Sequence, residues 1–212
     1  RERAFKLKLE QKRFLSDGSK DKKNLLWKIP IGISTQNFNS KELVIDHFLM
    51  ENRTYSTVIP RYTLDQHWFK LNAGQSGFYR VAYSPELWEP LIAAVRRSEI
   101  PNLDRIGLLD DSMALAKAGY MKTSQALDMI AAQENDKEFD GNVWSVLISN
   151  LGAIDHILEN NKSNREKLAA FARKILRPAF EKLGWEKLPN EKHTDTLLRS
   201  AIIRNLGSFG DQ

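Results

Sequence analysis

Apolar and polar positions change their rhythm once along this chain. Before Ser84 they alternate, and after it they recur every three or four residues. In "FKLKLEQKRF" Phe5, Leu7 and Leu9 point one way and Lys6, Lys8 and Glu10 the other, the signature of a half-buried strand. "LLWKIPIGIS" alternates again, with Trp27, Ile29, Ile31 and Ile33 on one face. Pro30 has no N–H to give a ladder, so that strand is expected to lie at an edge there. "ELVIDHFLM" and "YSTVI" add two short strands. "WFKLN" and "GFYRVAY" flank "AGQSG", which reads as a hairpin turn. Six or seven short strands punctuated by turns predict a small β-sandwich over residues 1–83.

From residue 84 the period is helical. Ser84 is placed to cap and Pro85 suits a first helical position, with Leu87, Leu91 and Val95 on one face. Pro90 is expected to kink this helix or delay its start. In "NLDRIGLLDDSMALAKAG" Asn102 caps, Ile106, Leu109, Met113 and Ala116 form a stripe, and Gly119 stops the helix. A helix from Thr123 to Ile130 follows. The next carries Trp144, Leu147, Leu151, Ile154 and Leu158 at helical spacing. Ser163 and Glu166 read as a capping box for a helix kinked at Pro178 and ended by Gly184, and a last helix runs from Thr194 to Leu206. Six helices joined by short loops predict a HEAT/armadillo-like solenoid over residues 84–212, truncated because it lacks a polar end helix. The expected fold class is thus α+β in two segregated parts.

The joint between them is "GQSGFYRVAYSP". Gly74 and Gly77 suit a tight turn, and Phe78–Tyr83 are read as the last strand. Phe78 and Tyr79 then face opposite sides. One is expected in the sandwich core and the other against the first helix near Leu87 or Leu91. A joint is the better reading of these aromatics than a ligand surface.

Composition narrows the function. The 212 residues contain no cysteine, which excludes disulfides and Cys-ligated zinc, and no apolar run is long enough for a bilayer. The net charge of +5 divides into +6 for residues 1–28 and −1 for the rest. Those lysines alternate with apolar residues, so a solvated strand face explains them better than a nucleic-acid surface. The chain opens on Arg1 and ends at "NLGSFGDQ" straight after a helical pattern, and both ends are read as cuts within a longer protein.

No metalloprotease, phosphate-binding, dinucleotide or nucleophile-elbow motif occurs. His47, His67, His156 and His193 are scattered, and surface or capping roles suit them better than a metal site. The acid pairs Asp110–Asp111, Glu134–Asp136 and Glu138–Asp140, and His193 with Asp195, fit salt bridges, solvation or helix ends better than acid–base catalysis. "GQSG" and "SGFYRVAY" only loosely match RNA-binding modules, and their strand context is wrong for both.

Several blocks in order do resemble one family. "LEQKRFL", "LLWKIPIGI", "WFKLNAGQSGFYRVAY", "LDRIGLLDDSMALAKAG" and "LGWEKLPNEKHTDTLLRS" are similar to gluzincin aminopeptidases, above all the puromycin-sensitive type and its fungal and plant relatives. The resemblance implies the third, β-sandwich part and the start of the fourth, helical part of such enzymes. It implies a zinc-dependent parent that removes N-terminal residues from peptides, is cytoplasmic, and holds its zinc and substrate-amine motifs in a catalytic domain. None of those motifs is in this chain, so no catalytic, cofactor or metal residue is assigned to it. The implied partners are the catalytic domain of the parent chain and its peptide substrates, with no nucleic acid and no membrane. In the family the solenoid walls the peptide chamber. His156, Arg199 and Arg204 are the contributors weighed for such a wall, against structural roles for each. The competing reading is an independent protein- or peptide-binding module with no enzymatic parent.

Overall fold

The computed structural model of the chain describes residues 4–36, 43–60, 68–135 and 139–211. It divides into two compact units, residues 1–126 and 127–212. The last strand ends at Leu71 and the first α-helix begins at Pro85, so the change from strand to helix falls inside the first unit.

The first unit holds strands β1 (Ala4–Glu10), β2 (Ile29–Gln36), β3 (Leu43–Met50), β4 (Thr54–Pro60) and β5 (Lys70–Leu71). β1 pairs antiparallel with β4, and β2 lies between β3 and β5. Leu7 of β1, Ile31 and Ile33 of β2, Met50 of β3 and Leu71 of β5 share one core with Phe69 and Val81, so both sheets bury a face together. β2 is a central strand, yet Pro30 pairs only with Leu49 of β3. The β5 pairing begins at Ile33, so the ring nitrogen interrupts no ladder.

Four expectations fail here, and side-chain hydrogen bonds account for most of them. β1 stops at Glu10: the Gln11 N–H still donates to the Arg53 carbonyl (2.9 Å), but the Gln11 carbonyl accepts from the Arg53 guanidinium (2.9 Å) instead of from a strand. The buried Gln11 amide donates to the carbonyls of Trp27 (2.9 Å) and Asn52 (3.0 Å) and accepts from the Trp27 N–H (2.9 Å). β2 correspondingly starts at Ile29, and Trp27, expected inward, is 40 % exposed. "AGQSG" is a turn of 3-10 helix, Ala73–Gln75, rather than a hairpin. Phe78–Tyr83 form no strand. The Val81 N–H is taken by the Asp111 carboxylate (3.0 Å), and the Leu71 N–H by the Tyr83 hydroxyl (2.9 Å). Side chains thus hold donors that a ladder would need.

Tyr79 and Tyr83 pack against the core with Leu87, but Phe78 is wholly exposed. It is Tyr83 that meets the first helix, its ring 6.0 Å from that of Trp88. Phe78→Ala should therefore cost under about 0.5 kcal/mol in urea unfolding, against about 1–3 kcal/mol for Tyr79→Ala. Equal losses would return Phe78 to the core.

Helix α1 (Pro85–Arg96) begins with proline in its first turn and runs through Pro90, burying Trp88, Leu91, Ile92, Ala94 and Val95. α2 (Asn102–Lys117) already includes Asn102, the expected cap, and Pro101 stands at the N-cap position. It is buried over much of its circumference, including Asp104, Arg105 and Asp111, so the expected narrow stripe is incomplete: Leu109 and Met113 are buried, whereas Ile106 and Ala116 are only half-buried. α3 (Thr123–Ala131) spans the division between the units.

The second unit contains α4 (Gly141–Ile157), α5 (Lys162–Leu183) and α6 (His193–Ser208), which pack against one another. Four members of the α4 stripe lie as their spacing predicts, with Trp144, Leu147 and Leu151 fully buried and Ile154 nearly so, whereas Leu158 falls at the C-cap and is half-buried. Asp140, read as one of an acid pair, caps α4 by accepting from the N–H groups of Asn142 and Val143. The cap of α5 is Asn161 rather than Ser163, since the helix already starts at Lys162, and it continues through Pro178 to Leu183.

Candidate functional site

The most specific sequence blocks, residues 68–83 and 103–119, meet in the first unit. Residues 68–73 are all buried, Lys70 among them at 2 % exposure. The Lys70 ammonium lies 2.9 Å from the Asp104 carboxylate, itself 2 % exposed. It also donates to the Asn72 carbonyl at 2.7 Å. The same Asp104 oxygen accepts from the Gly74 N–H at 2.8 Å. Burial pulls the Lys70 ammonium below the ordinary lysine value, and Asp104 pulls the other way.

Asp111 is seven residues on, about two helical turns, and so returns to a similar face of α2. One of its oxygens takes the Val81 N–H, and the other accepts from Arg80 at 3.0 Å. Arg80 also donates to Asp110 at 2.6 Å, so one guanidinium bridges the adjacent carboxylates. Burial raises the Asp111 carboxyl above the usual aspartate range, against the opposing pull of the Val81 N–H and of Arg80.

The loop between these anchors has a demanding backbone. Asn72, Gly74 and Gln75 all have positive φ (57°, 64° and 54°). The Asn72 side chain holds it, accepting from the Gly77 N–H (2.7 Å) and donating to the Gly77 carbonyl (2.9 Å). A Cβ on Gly77 would come within 2.2 Å of the Tyr79 ring, and one on Gly107 of α2 within 1.7 Å of the Gln75 amide. A side chain at either position would force the Tyr79 ring or the Gln75 amide to shift. The arrangement is a clasp between the loop and α2. Its Lys70, Asp104, Arg80 and Asp111 are all engaged with one another or with the backbone, which fits them for holding two segments together rather than for attacking a substrate.

Beside the clasp a groove of about 820 Å³ runs along residues 7–14, 27–31 and 76–84, reaching Leu115 and Tyr120. Phe78 stands on its wall, and the Arg80 guanidinium lies over the Phe14 ring at 5.4 Å.

The profile of the family described as "ERAP1-like C-terminal domain" matches residues 68–212. The chain belongs to this family. The match begins at Trp68, so both halves of the clasp lie inside the family region. Relatives align across nearly all of the chain. Aminopeptidase M1-A of Oryza sativa subsp. japonica is 30 % identical over 98 % of this chain and 23 % of its own length. Aminopeptidase 2 of Candida albicans is 30 % identical over 97 % of this chain and 21 % of its own length. Puromycin-sensitive aminopeptidase of Caenorhabditis elegans is 30 % identical over the same two shares. The chain thus spans between a fifth and a quarter of the length of these relatives. The aminopeptidase resemblance holds, while the puromycin-sensitive type is matched no better than the other two.

Within this family region the residues weighed for a peptide wall separate. Arg199 is 5 % exposed and is spent on structure. It donates to the Leu183 carbonyl at the end of α5 and, by both terminal nitrogens, to Glu191. His156 and Arg204 are exposed, and His156 lies 3.7 Å from Glu159. His47 is exposed on β3, His193 opens α6, and His67 lies outside the described residues. Among the described residues no three His, Asp or Glu side chains gather into a metal-binding group, and no helix is long and apolar enough to cross a membrane. Asp136 and Glu138 also lie outside the described residues, and Glu134 pairs with Lys174 at 3.4 Å.

Glu191 yields a pH prediction. The bond from Arg199 holds its carboxyl at about 2, down from 4.5. A carboxyl depressed by folding stabilises fully above its unfolded pKa, so this contribution is present above about pH 4.5 and is lost as pH falls toward about 2. Acid titration followed by near-UV circular dichroism should show that loss, and Glu191→Gln should remove it. An unchanged acid limb in the variant would contradict the assignment.

Proposed function

We propose that this chain is a non-catalytic part of a zinc aminopeptidase that removes N-terminal residues from peptides, with a β part over residues 1–83 and a helical part over 84–212. The observation that carries this reading is the alignment itself: proteins named as aminopeptidases match 97–98 % of the chain, while the chain covers only 21–23 % of them. In this reading the helical part stacks as a solenoid beside the parent's catalytic domain and limits which peptides reach it, in the cytoplasm. The clasp keeps the loop and α2 in register, so that the β part and the first helices act as one support.

Zinc does not fit the residues of this chain, which lack both the H-E-x-x-H sequence and, among the described residues, a three-ligand cluster. In the proposed reading another region of the parent holds the ion.

The reading is tested at two levels. The open reading frame that encodes this chain should specify H-E-x-x-H and a downstream glutamate upstream of Arg1. The protein purified from that frame should hydrolyse aminoacyl-coumarin substrates in a chelator-sensitive way, whereas this chain with added zinc should not. A reading frame without the motif, or chelator-sensitive turnover that co-purifies with this chain alone, defeats the proposal.

A further inference from the structure

The groove beside the clasp has the form of an open strand position. Its lining includes Leu7, Lys8, Leu9 and Glu10 in succession, residues from both faces of β1, but nothing from β4. A cavity touching both faces of a strand runs along its edge, and this is the edge away from β4. Among the described residues β1 and β4 form a sheet of only two strands, and such pairs are marginal without a third. The opposite wall, residues 76–84, is free of strand pairing, and Phe78 stands there wholly exposed.

The charges on β1 specify what fits. Lys6 and Lys8 stand exposed on its outer face. Their cross-strand partners on β4 are Val58 and Ser56, so neither lysine has a carboxylate opposite it. On the inner face Leu7 and Leu9 point to the core. Opposite charges across a ladder attract and like charges repel. A second copy pairing antiparallel through β1 and centred on Leu7 would set Lys6 against Lys8. Lys12 adds positive charge along the same groove, whereas Arg13 and Lys28 pair with Asp21 and Glu51, and Glu10 supplies one carboxylate there.

We infer that the β1 edge binds an extended acidic peptide by strand addition, with its carboxylates beside Lys6 and Lys8 and its alternate apolar side chains turned toward Leu7, Leu9 and Phe78. Main-chain hydrogen bonds supply affinity in this mode, and the alternating side chains supply selectivity. This inference concerns the chain itself and does not depend on the proposed aminopeptidase parent.

The test uses the full 212-residue chain and two labelled probes, an alternating Glu–Val peptide and an alternating Lys–Val peptide. Fluorescence anisotropy should show saturable binding of the acidic probe, and hydrogen exchange should slow at the β1 amides. Lys6→Glu with Lys8→Glu should weaken the acidic probe about tenfold and turn the preference toward the basic one. Both lysines are exposed, so circular dichroism of the double variant should match the parent chain. The inference is overturned by absent binding, by equal binding of both probes, or by unchanged affinity in the double variant. It is equally overturned if the β1 amides that face away from β4 are already protected before peptide is added, or if the chain dimerises through β1.

Discussion

Asp104→Ala should destabilise the strand-bearing unit by about 3–5 kcal/mol, the usual cost of leaving one member of a buried ion pair without its partner. Lys70 is 2 % exposed, so the orphaned ammonium can neither reach water nor turn to another carboxylate at contact distance. The Gly74 N–H loses its acceptor in the same step. The pair itself need not be strongly stabilising. A double replacement, Lys70→Met with Asp104→Leu, removes both charges and should recover most of the loss. Urea unfolding read by hydrogen exchange of the α2 amides distinguishes the outcomes. An Asp104→Ala loss below about 1 kcal/mol, the scale of an exposed pair, would show that the ion pair is solvated.

Trp144→Ala should cost the helical unit about 3–5 kcal/mol, the range for truncating a large buried aromatic. Trp144 is fully buried in α4, and its ring lies 5.1 Å from that of Phe139, tilted by 37°. Its neighbours Leu147 and Leu151 are equally inaccessible, so little can collapse into the cavity. Ile157 on the same helix is 66 % exposed and serves as the control, with Ile157→Ala expected below about 0.5 kcal/mol. Equal losses at both positions would mean that α4 is not packed as described.

The candidate site was less legible in the sequence than the helices. Asp110 and Asp111 read as adjacent acids about 100° apart on a helix, suited to salt bridges or solvation, and Arg80 does bridge them, but no local pattern names Arg80 as the partner. Lys70 was one polar position in an alternating strand, and Asp104 a residue in a first helical turn, where acids are favoured anyway. One signal was available and stayed unused: the two blocks most like the aminopeptidase family are the two that meet. Asn72, placed among three positive-φ residues, gave no sign beyond its type, and asparagine tolerates that region better than most residues do. Phe78 shows the opposite error. Its neighbours Tyr79 and Tyr83 do pack on the core, and only the chain's course leaves Phe78 outside.

The sequence by itself determined the change from alternating to helical period at Ser84, the buried stripe of α4, and the stops at Gly119 and Gly184, both of which have positive φ. These follow from backbone sterics and from which side chains fall on one face, and both are encoded within a few residues. Only the tertiary structure decided that residues 78–83 leave the sheet and that Lys70, Arg80, Asp104 and Asp111 form a clasp. The bonds responsible join residues about thirty positions apart, such as Val81 to Asp111 and Gly74 to Asp104. Whether a carboxylate takes a backbone N–H from a ladder, or keeps a lysine charged away from water, depends on what the fold brings beside it, and no local window holds that information.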